Sequence, residues 1–437
     1  MPLVAIVGRP NVGKSTFFNR LIESRQSIVH DEPGVTRDRI YGNTEWNGVE
    51  FAVTDTGGYV AHSDDRFEKA IREQVEIATE EADLVLFVVD VTTGITGLDE
   101  ELAGMLRRSQ TPVLVLANKA DNAERRWGTS EFYQMGFEDI FPISALNGSG
   151  TGELMDAIVE RLPAPAVRDE KDERPRIALI GRPNVGKSSL TNALLDQNRS
   201  IVTEISGTTR DAIDASFKYH GREIVLVDTA GLRKRARVTE NVEFYAQLRT
   251  ERAIQECDVA VLLVDATMGL ETQDIRVLKQ AEEMKKGLVV AINKWDLIEK
   301  ETNTARDFTT DMHERLKTLS YVPVITISAV TKQRVHKLLD TALEVAERRS
   351  TRIPTSRLNE AMLDAIGRAA PPMYRNRPVK IKYVTQVHER PPVFTFFCNF
   401  PQGIAESYRR YLENQLRKAF PLEGVPVTIH FKAKSTR

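Results

Sequence analysis

Short apolar runs alternate along this chain with longer stretches of mixed polarity. In the first part they are LVAIVG (3–8), FAVTDTGG (51–58), DLVLFVVD (83–90) and TPVLVLANKAD (111–121). Runs of the same kind return as IALIG (177–181), EIVLVDTAG (223–231), DVAVLLVDA (258–266) and LVVAINKWD (288–296). Continuous Val, Ile and Leu without strict alternation predicts strands buried on both faces, and the amphipathic stretches between them predict covering helices. The expected fold class is α/β, with mostly parallel sheets and helices on both faces. After residue 350 the pattern changes. RLNEAMLDAIGRAA (357–370) and SYRRYLENQLRKAF (407–420) read as helices, while KIKYVTQV (380–387), VFTFFCNF (393–400) and VPVTIHFKAK (425–434) read as strands of a small α+β domain.

The two α/β parts are copies. GRPNVGKST (8–16) and GRPNVGKSS (181–189) agree at eight of nine positions, and an offset of 173 also pairs Asn19, Ser27-Ile28-Val29, Gly34, Thr36-Arg37-Asp38 and Asp55-Thr56 with their counterparts. A period that long means a duplicated domain rather than a solenoid repeat. Between the copies, PAPAVRDEKDERP has little to bury and reads as a linker. The expected division is 1–162, a linker at 163–175, 176–349 and 350–437.

GxxxxGK[ST] between a strand and a helix cradles phosphate on backbone N–H groups at a helix N-terminus. Gly8, Asn11, Gly13, Lys14, Ser15 and Thr16 are expected to line one nucleotide, and Gly181, Asn184, Gly186, Lys187, Ser188 and Ser189 another. Lys14 and Lys187 would reach the terminal phosphates, and Ser15 and Ser188 would bind magnesium. Asp55 and Asp228, each ending an apolar strand, would hold the metal's water shell, with Gly57 and Gly231 as γ-phosphate sensors. Thr36 and Thr209 are candidate switch threonines that bind magnesium in the triphosphate state. NKAD (Asn118, Lys119, Asp121) and NKWD (Asn293, Lys294, Asp296) would select the base. A carboxylate accepts two hydrogen bonds from guanine's ring N–H and amino group, which adenine does not offer in that arrangement. Ser144-Ala145 and Ser328-Ala329 would add backbone contacts to the guanine oxygen.

Five guanine-nucleotide signatures in order, twice, resemble the translation-factor-like P-loop GTPases. Two such domains followed by a small basic one are similar to the Der/EngA family of bacterial GTPases over essentially the whole chain. The resemblance implies a KH-like third domain, binding to the large ribosomal subunit or its precursor and so to ribosomal RNA, and a role in subunit assembly. GTP, GDP and magnesium are the expected ligands, and the chain is expected to be monomeric. Ras-like GTPases place a glutamine after the γ-phosphate-sensing glycine; the positions read for it here are Gly58 and Leu232, so intrinsic hydrolysis is expected to be slow. Asn11 and Asn184 sit where similar GTPases use a bridging potassium ion, and a turn-forming role is the competing account.

Charge sharpens the picture of the third domain. Residues 350–437 hold 15 Lys and Arg against 6 Asp and Glu, on a chain whose net charge is −2. Arg375, Arg377, Lys380, Lys382, Arg409, Arg410, Arg417 and Lys418, interleaved with Tyr374, Tyr383, Tyr408 and Tyr411, form a candidate RNA-facing set. No GxxG clamp occurs after 350, so the usual KH groove is not expected to read RNA. Arg233, Lys234, Arg235 and Arg237 make a second basic patch, in the switch region of the second copy. Cys257 and Cys398 point to a reducing compartment, no apolar run reaches the ~20 residues of a membrane span, and a cytoplasmic protein without a membrane partner is expected. Three other readings compete: a nucleotide-sensing RNA-binding module with incidental slow hydrolysis, a tRNA-modifying GTPase, disfavoured by the lack of a C-terminal cysteine, and a membrane-surface GTPase, disfavoured by the lack of an amphipathic anchor.

Overall fold

The computed structural model describes residues 2–23, 41–55, 64–163, 172, 174–197, 214–228, 242–299 and 304–433. The chain forms two compact units, Met1–Glu170 and Lys171–Arg437.

The first unit is built on strands β1 (Leu3–Val7), β2 (Tyr41–Trp46), β3 (Val49–Asp55), β4 (Leu84–Asp90), β5 (Val113–Asn118) and β6 (Ile140–Pro142). They form one sheet in the order β2-β3-β1-β4-β5-β6. Only the β2–β3 pair is antiparallel. Every residue of β1 and β4 is buried, because each face of the sheet carries its own apolar cluster. Phe17, Phe18, Leu154 and Ile158 pack one face, and Val75, Leu102, Leu106 and Phe132 the other. The continuous apolar runs are what a parallel sheet with two covered faces requires.

Strand order reverses at β1, which lies between β3 and β4. Loops leaving neighbouring strands there diverge to opposite faces and open a crevice at the strand C-termini. Asp55, Asp90 and Asn118 end their strands on that rim.

The second unit repeats the plan with β7 (Arg176–Ile180), β8 (Ala215–Tyr219), β9 (Arg222–Val227), β10 (Val259–Asp265), β11 (Gly287–Asn293) and β12 (Val324–Thr326), in the order β12-β11-β10-β7-β9-β8. It continues into β13 (Ile381–His388), β14 (Val393–Cys398) and β15 (Thr428–Ala433). β13 pairs antiparallel and β15 parallel with β14, under helices Thr355–Arg368 and Glu406–Ala419. The expected helix, two strands, helix and strand are all present, and the fold class is as read. The antiparallel edge strands β2 and β8 and the short β6 and β12 were not anticipated.

The third sheet's domain is docked on the domain built around β7–β12. Leu288 N donates to the Gly424 carbonyl (2.7 Å), and Gly424 N donates to the Tyr321 carbonyl (2.9 Å). Val425 is fully buried inside the apolar cluster packed on the β7–β12 sheet. The Arg417 guanidinium lies 3.6 Å from the centroid of the Tyr321 ring and donates to the Leu422 and Val425 carbonyls (2.8 and 2.9 Å). Arg417 therefore leaves the expected RNA-facing set: it rivets the docking loop. Tyr408 and Tyr411 leave it too, since their hydroxyls donate to the Ala369 and Ala365 carbonyls and tie the two helices together.

Arg417→Ala is expected to destabilise the second unit by about 2–3 kcal/mol, from a lost cation–π contact and two charge-assisted hydrogen bonds. Urea unfolding of the full chain should show that unit's transition move while the first unit's stays in place.

Candidate functional site

Residues 8–13 run from the end of β1 into the helix Lys14–Glu23, and 181–186 run from β7 into the helix Lys187–Gln197. Asn11 and Asn184 hold the left-handed region, at φ 62° and 63°. Asn tolerates that region better than most side chains, so backbone geometry alone accounts for Asn there. Gly13 and Gly186 pass so close to Asn118 and Asn293 that any Cβ would collide with their side-chain amides.

That proximity is used. Asn118 Nδ2 donates to the Val12 carbonyl (2.7 Å), and its Oδ1 accepts from Ala145 N (2.8 Å). Asn293 Nδ2 donates to the Val185 carbonyl (2.8 Å), and its Oδ1 accepts from Ala329 N (3.0 Å). One buried carboxamide thus joins the glycine-rich loop to the Ser-Ala loop in each copy. Its second amide hydrogen and second lone pair on each oxygen stay uncommitted by these bonds.

Lys14 Nζ donates to the Gly8 and Arg9 carbonyls, both at 2.8 Å, and Lys187 Nζ to the Gly181 and Arg182 carbonyls at 2.6 and 2.7 Å. Burial pushes both ammonium groups below the ordinary lysine range, Lys187 to about 8, against the upward pull of Asp55 on Lys14 and of Asp228 and Asp274 on Lys187. In the first copy Ser15 Oγ donates to Asp55 Oδ2 (2.6 Å). In the second, Asp228 sits at φ 58° and its amide donates to Asp214 Oδ1 (3.0 Å).

The NKAD and NKWD segments are ordered in the same way. Lys119 and Lys294 adopt φ 67° and 63°, which turns their ammonium groups onto Asp90 and Asp265, each at 2.6 Å. Burial works to raise these carboxyls, but the ammonium and the Thr92 or Thr267 hydroxyl and amide bring both below the usual carboxylate range. Lys119 Nζ also reaches the Asn11 carbonyl (3.0 Å). Asp121 accepts from Ser144 Oγ (2.5 Å) and pairs with Arg125 (2.9 Å). Asp296 lies in a single turn, Trp295–Leu297, and Ser328 is fully buried.

Sequence reasoning missed a second pair of anchors. Arg9 Nε donates to Asp99 Oδ2 (3.1 Å), and Arg182 Nε lies 3.1 Å from both Asp274 oxygens. Asp99 and Asp274 are fully buried and cap the N-termini of helices Gly97–Arg108 and Thr272–Glu283. Their signal was an arginine inside the repeated nonapeptide with no phosphate role assigned to it.

Thr16 and Ser189 lie in the helices Lys14–Glu23 and Lys187–Gln197, whereas Thr36, Gly57, Thr209 and Gly231 lie outside the described residues, as do Gly58, Leu232 and the basic patch at 233–237. One of these readings needs correction from the repeat itself. The offset of 173 pairs Gly231 with Gly58 and Leu232 with Tyr59, so Gly58 and Tyr59 take the roles first read for Gly57 and Gly58.

Asn118→Ala is expected to destabilise the first unit by about 2–3 kcal/mol without any nucleotide, because it strands a buried carbonyl and a buried amide. Denaturant unfolding of the nucleotide-free chain checks this; an unchanged first-unit transition would show the bridge to be dispensable.

A family model described as "50S ribosome-binding GTPase" matches residues 3–119 and 176–294. A second, the C-terminal KH-domain-like domain of EngA bacterial GTPase enzymes, matches residues 352–432. A protein named GTPase Der from Christiangramia forsetii is 50% identical over 432 residues, covering 99% of both chains. Another of the same name from Porphyromonas gingivalis is 51% identical over 434 residues, again covering 99% of both. The duplicated glycine-rich loops, the paired NKxD segments and the docked third domain therefore sit in a chain that belongs to the Der (EngA) family of GTPases.

Proposed function

We propose that each G domain binds GTP and hydrolyses it to GDP and phosphate, and that occupancy gates the chain's action in assembling the large ribosomal subunit. The observation that supports the reading is the asparagine bridge, found twice, which ties the glycine-rich loop to the Ser-Ala segment in each copy. Lys14 and Lys187 would exchange their carbonyl partners for phosphate oxygens. Asp121 and Asp296 would accept from guanine, with Ser144-Ala145 and Ser328-Ala329 holding its oxygen. The domain division 1–162, 163–175, 176–349 and 350–437, a monomeric state and a cytoplasmic setting belong to the same proposal. Among the described residues no helix is long and apolar enough to cross a membrane.

The hydroxyl and carboxylate oxygens of Ser15 and Asp55, 2.6 Å apart, are the hard donors magnesium prefers. Ser15, Thr36 and Asp55 would hold one ion and Ser188, Thr209 and Asp228 the other. Bound magnesium would supply charge neutralisation across the terminal phosphates. The chain's residues position the phosphates and exclude water, while Gly58 and Gly231 would respond to the γ-phosphate. Neither following residue, Tyr59 or Leu232, is a glutamine. A potassium ion in each copy, held by Asn11 in the first and by Asn184 in the second, would offset that loss. The second reading, a sensor with incidental turnover, is favoured by the same missing glutamine.

Single-turnover hydrolysis is expected to run about tenfold to a hundredfold faster in potassium than in sodium chloride, the worth of roughly one preorganised charge. Equal rates in the two salts would favour the sensor. Co-sedimentation with large ribosomal subunits is expected with GTP or a non-hydrolysable analogue and not with GDP or in the apo state. Nucleotide-independent behaviour would remove the gating role.

A further inference from the structure

With no GxxG clamp, and with Arg417, Tyr408 and Tyr411 committed to internal contacts, the third domain needs another surface if it meets an anionic partner. Its cations are not evenly spread. Between Asp364 and Glu389 the chain has no acidic residue, while Arg375, Arg377, Lys380 and Lys382 fall within eight positions. All four are exposed, and among the described residues none of them pairs with a carboxylate.

Two of the four crown a tight hairpin. Tyr374 N donates to the Arg377 carbonyl and Arg377 N to the Tyr374 carbonyl, each at 2.9 Å, with Arg375 and Asn376 between them at φ 49° and 58°. Both central residues at positive φ is the geometry that Asn-Gly or Gly-Gly normally serves. Arginine there costs on the order of 1 kcal/mol in backbone strain. Local propensity is set against the side chain, as happens where a side chain is wanted for a task.

The hairpin is also held rigid. Pro371, Pro372 and Pro378 flank it. Tyr374 packs on Phe400 at 6.1 Å between ring centroids and presses so close to Gly403 that a Cβ there would stand 2.6 Å from Tyr374 Cβ. The Arg375 guanidinium lies 5.3 Å from the Tyr374 ring centroid. Farther along, Asn399 accepts from Lys380 N (2.8 Å) and donates to the Pro378 carbonyl (3.0 Å), fixing the path into β13. A register irregularity between Ile381 and Tyr383 leaves Lys382 and Tyr383 both facing solvent.

We propose that the Tyr374–Arg377 hairpin, continued by Lys380 and Lys382, is the RNA-contacting surface of the third domain. It would grip successive phosphates of a single-stranded segment, with Tyr383 as a stacking face, and would read backbone rather than sequence. Unpaired cations on a preorganised turn lose little side-chain entropy on meeting phosphate, and Arg is the cation whose fork matches it. The inference rests on the proposal that the chain acts on ribosomal RNA, and assigns the face.

The test compares the full chain with R375A/R377A, the charge-retaining R375K/R377K, and R368A, whose arginine is already paired with Asp364 on the neighbouring helix. Binding to a uridine oligonucleotide is measured across potassium chloride concentrations, alongside co-sedimentation with large ribosomal subunits. The alanine pair is expected to lower the salt slope by about 1.4, at ~0.7 for each lost single-strand phosphate contact, and to weaken binding more than about tenfold near ~0.1 M salt. R375K/R377K should keep the slope, R368A should match the parent, and unchanged GTP turnover in all three verifies folding. Unchanged RNA and subunit binding by the alanine pair would overturn the hairpin and leave the ribosomal reading standing. Lost subunit binding with intact RNA binding would hand the hairpin to a ribosomal protein and overturn the RNA assignment. If the parent chain binds neither probe, both proposals fall.

Discussion

At the end of β5 the Asn118 carboxamide donates to the Val12 carbonyl and accepts from the Ala145 amide, and at the end of β11 Asn293 does the same with Val185 and Ala329. Both side chains are almost wholly removed from water. A buried amide or carbonyl without a partner costs about 1–3 kcal/mol, so neither loop can drift from the other without exposing that cost. The constraint reaches back into the sequence. Gly13 and Gly186 must lack a Cβ so that the asparagine can approach the loop backbone, which gives the second glycine of the repeated nonapeptide its physical reason.

The same strand carries the load in the other direction. β11 begins beside Leu288, which bonds the Gly424 carbonyl of the third domain, and ends at Asn293, which ties the two loops of the rim. Five residue steps of extended chain at ~3.3 Å each separate Leu288 from Asn293 by about 17 Å. Neighbouring β10 pairs with β11 along its whole length, so the strand has no freedom to slip. The third domain is therefore held at the end of the sheet opposite the nucleotide loops. Its contact with the second G domain is built from core packing and backbone bonds rather than from loops at the rim. Arg349 reinforces that end, pairing with the buried Asp258 (3.1 Å) and donating to the Lys285 carbonyl (3.1 Å).

What could be read from sequence divides along physical lines. Buried parallel strands announce themselves because two covered faces leave only apolar residues, and every such run became a strand. β2 and β8 escaped because edge strands show polar residues on one side. Yet Asn47-Gly48, with φ 49° and 80°, is the commonest signature of a two-residue hairpin, and His220-Gly221 repeats it at 47° and 80°. The glycine-rich loops and the NKxD and Ser-Ala segments were legible as a set from their spacing, and the asparagine bridges bring them together. The uses of Arg9, Arg182 and Arg417 were not. Each pairs with residues far away in sequence, and one arginine looks like another until the fold shows whether a carboxylate, a ring or solvent stands opposite. Tyr408 and Tyr411 misled for the same reason: at helical spacing among cations they resemble a stacking surface, and only the facing helix explains them.

The two copies, so close in sequence, differ at the ends of β3 and β9. In the first, Asp55 remains in the extended conformation of β3 and accepts directly from Ser15. In the second, β9 ends one residue earlier, at Val227, and Asp228 turns into the left-handed region. The turn is held by Asp214, which accepts from the Asp228 amide while pairing with Arg176 at 2.6 Å. A non-glycine residue in that region carries roughly 1 kcal/mol of strain, so the surrounding bonds must exceed it. Whatever draws Asp228 back to the geometry of Asp55 would relieve the strain but must break the Asp214 contact. Duplication has thus preserved these residues while leaving the two carboxylates in different backbone conformations.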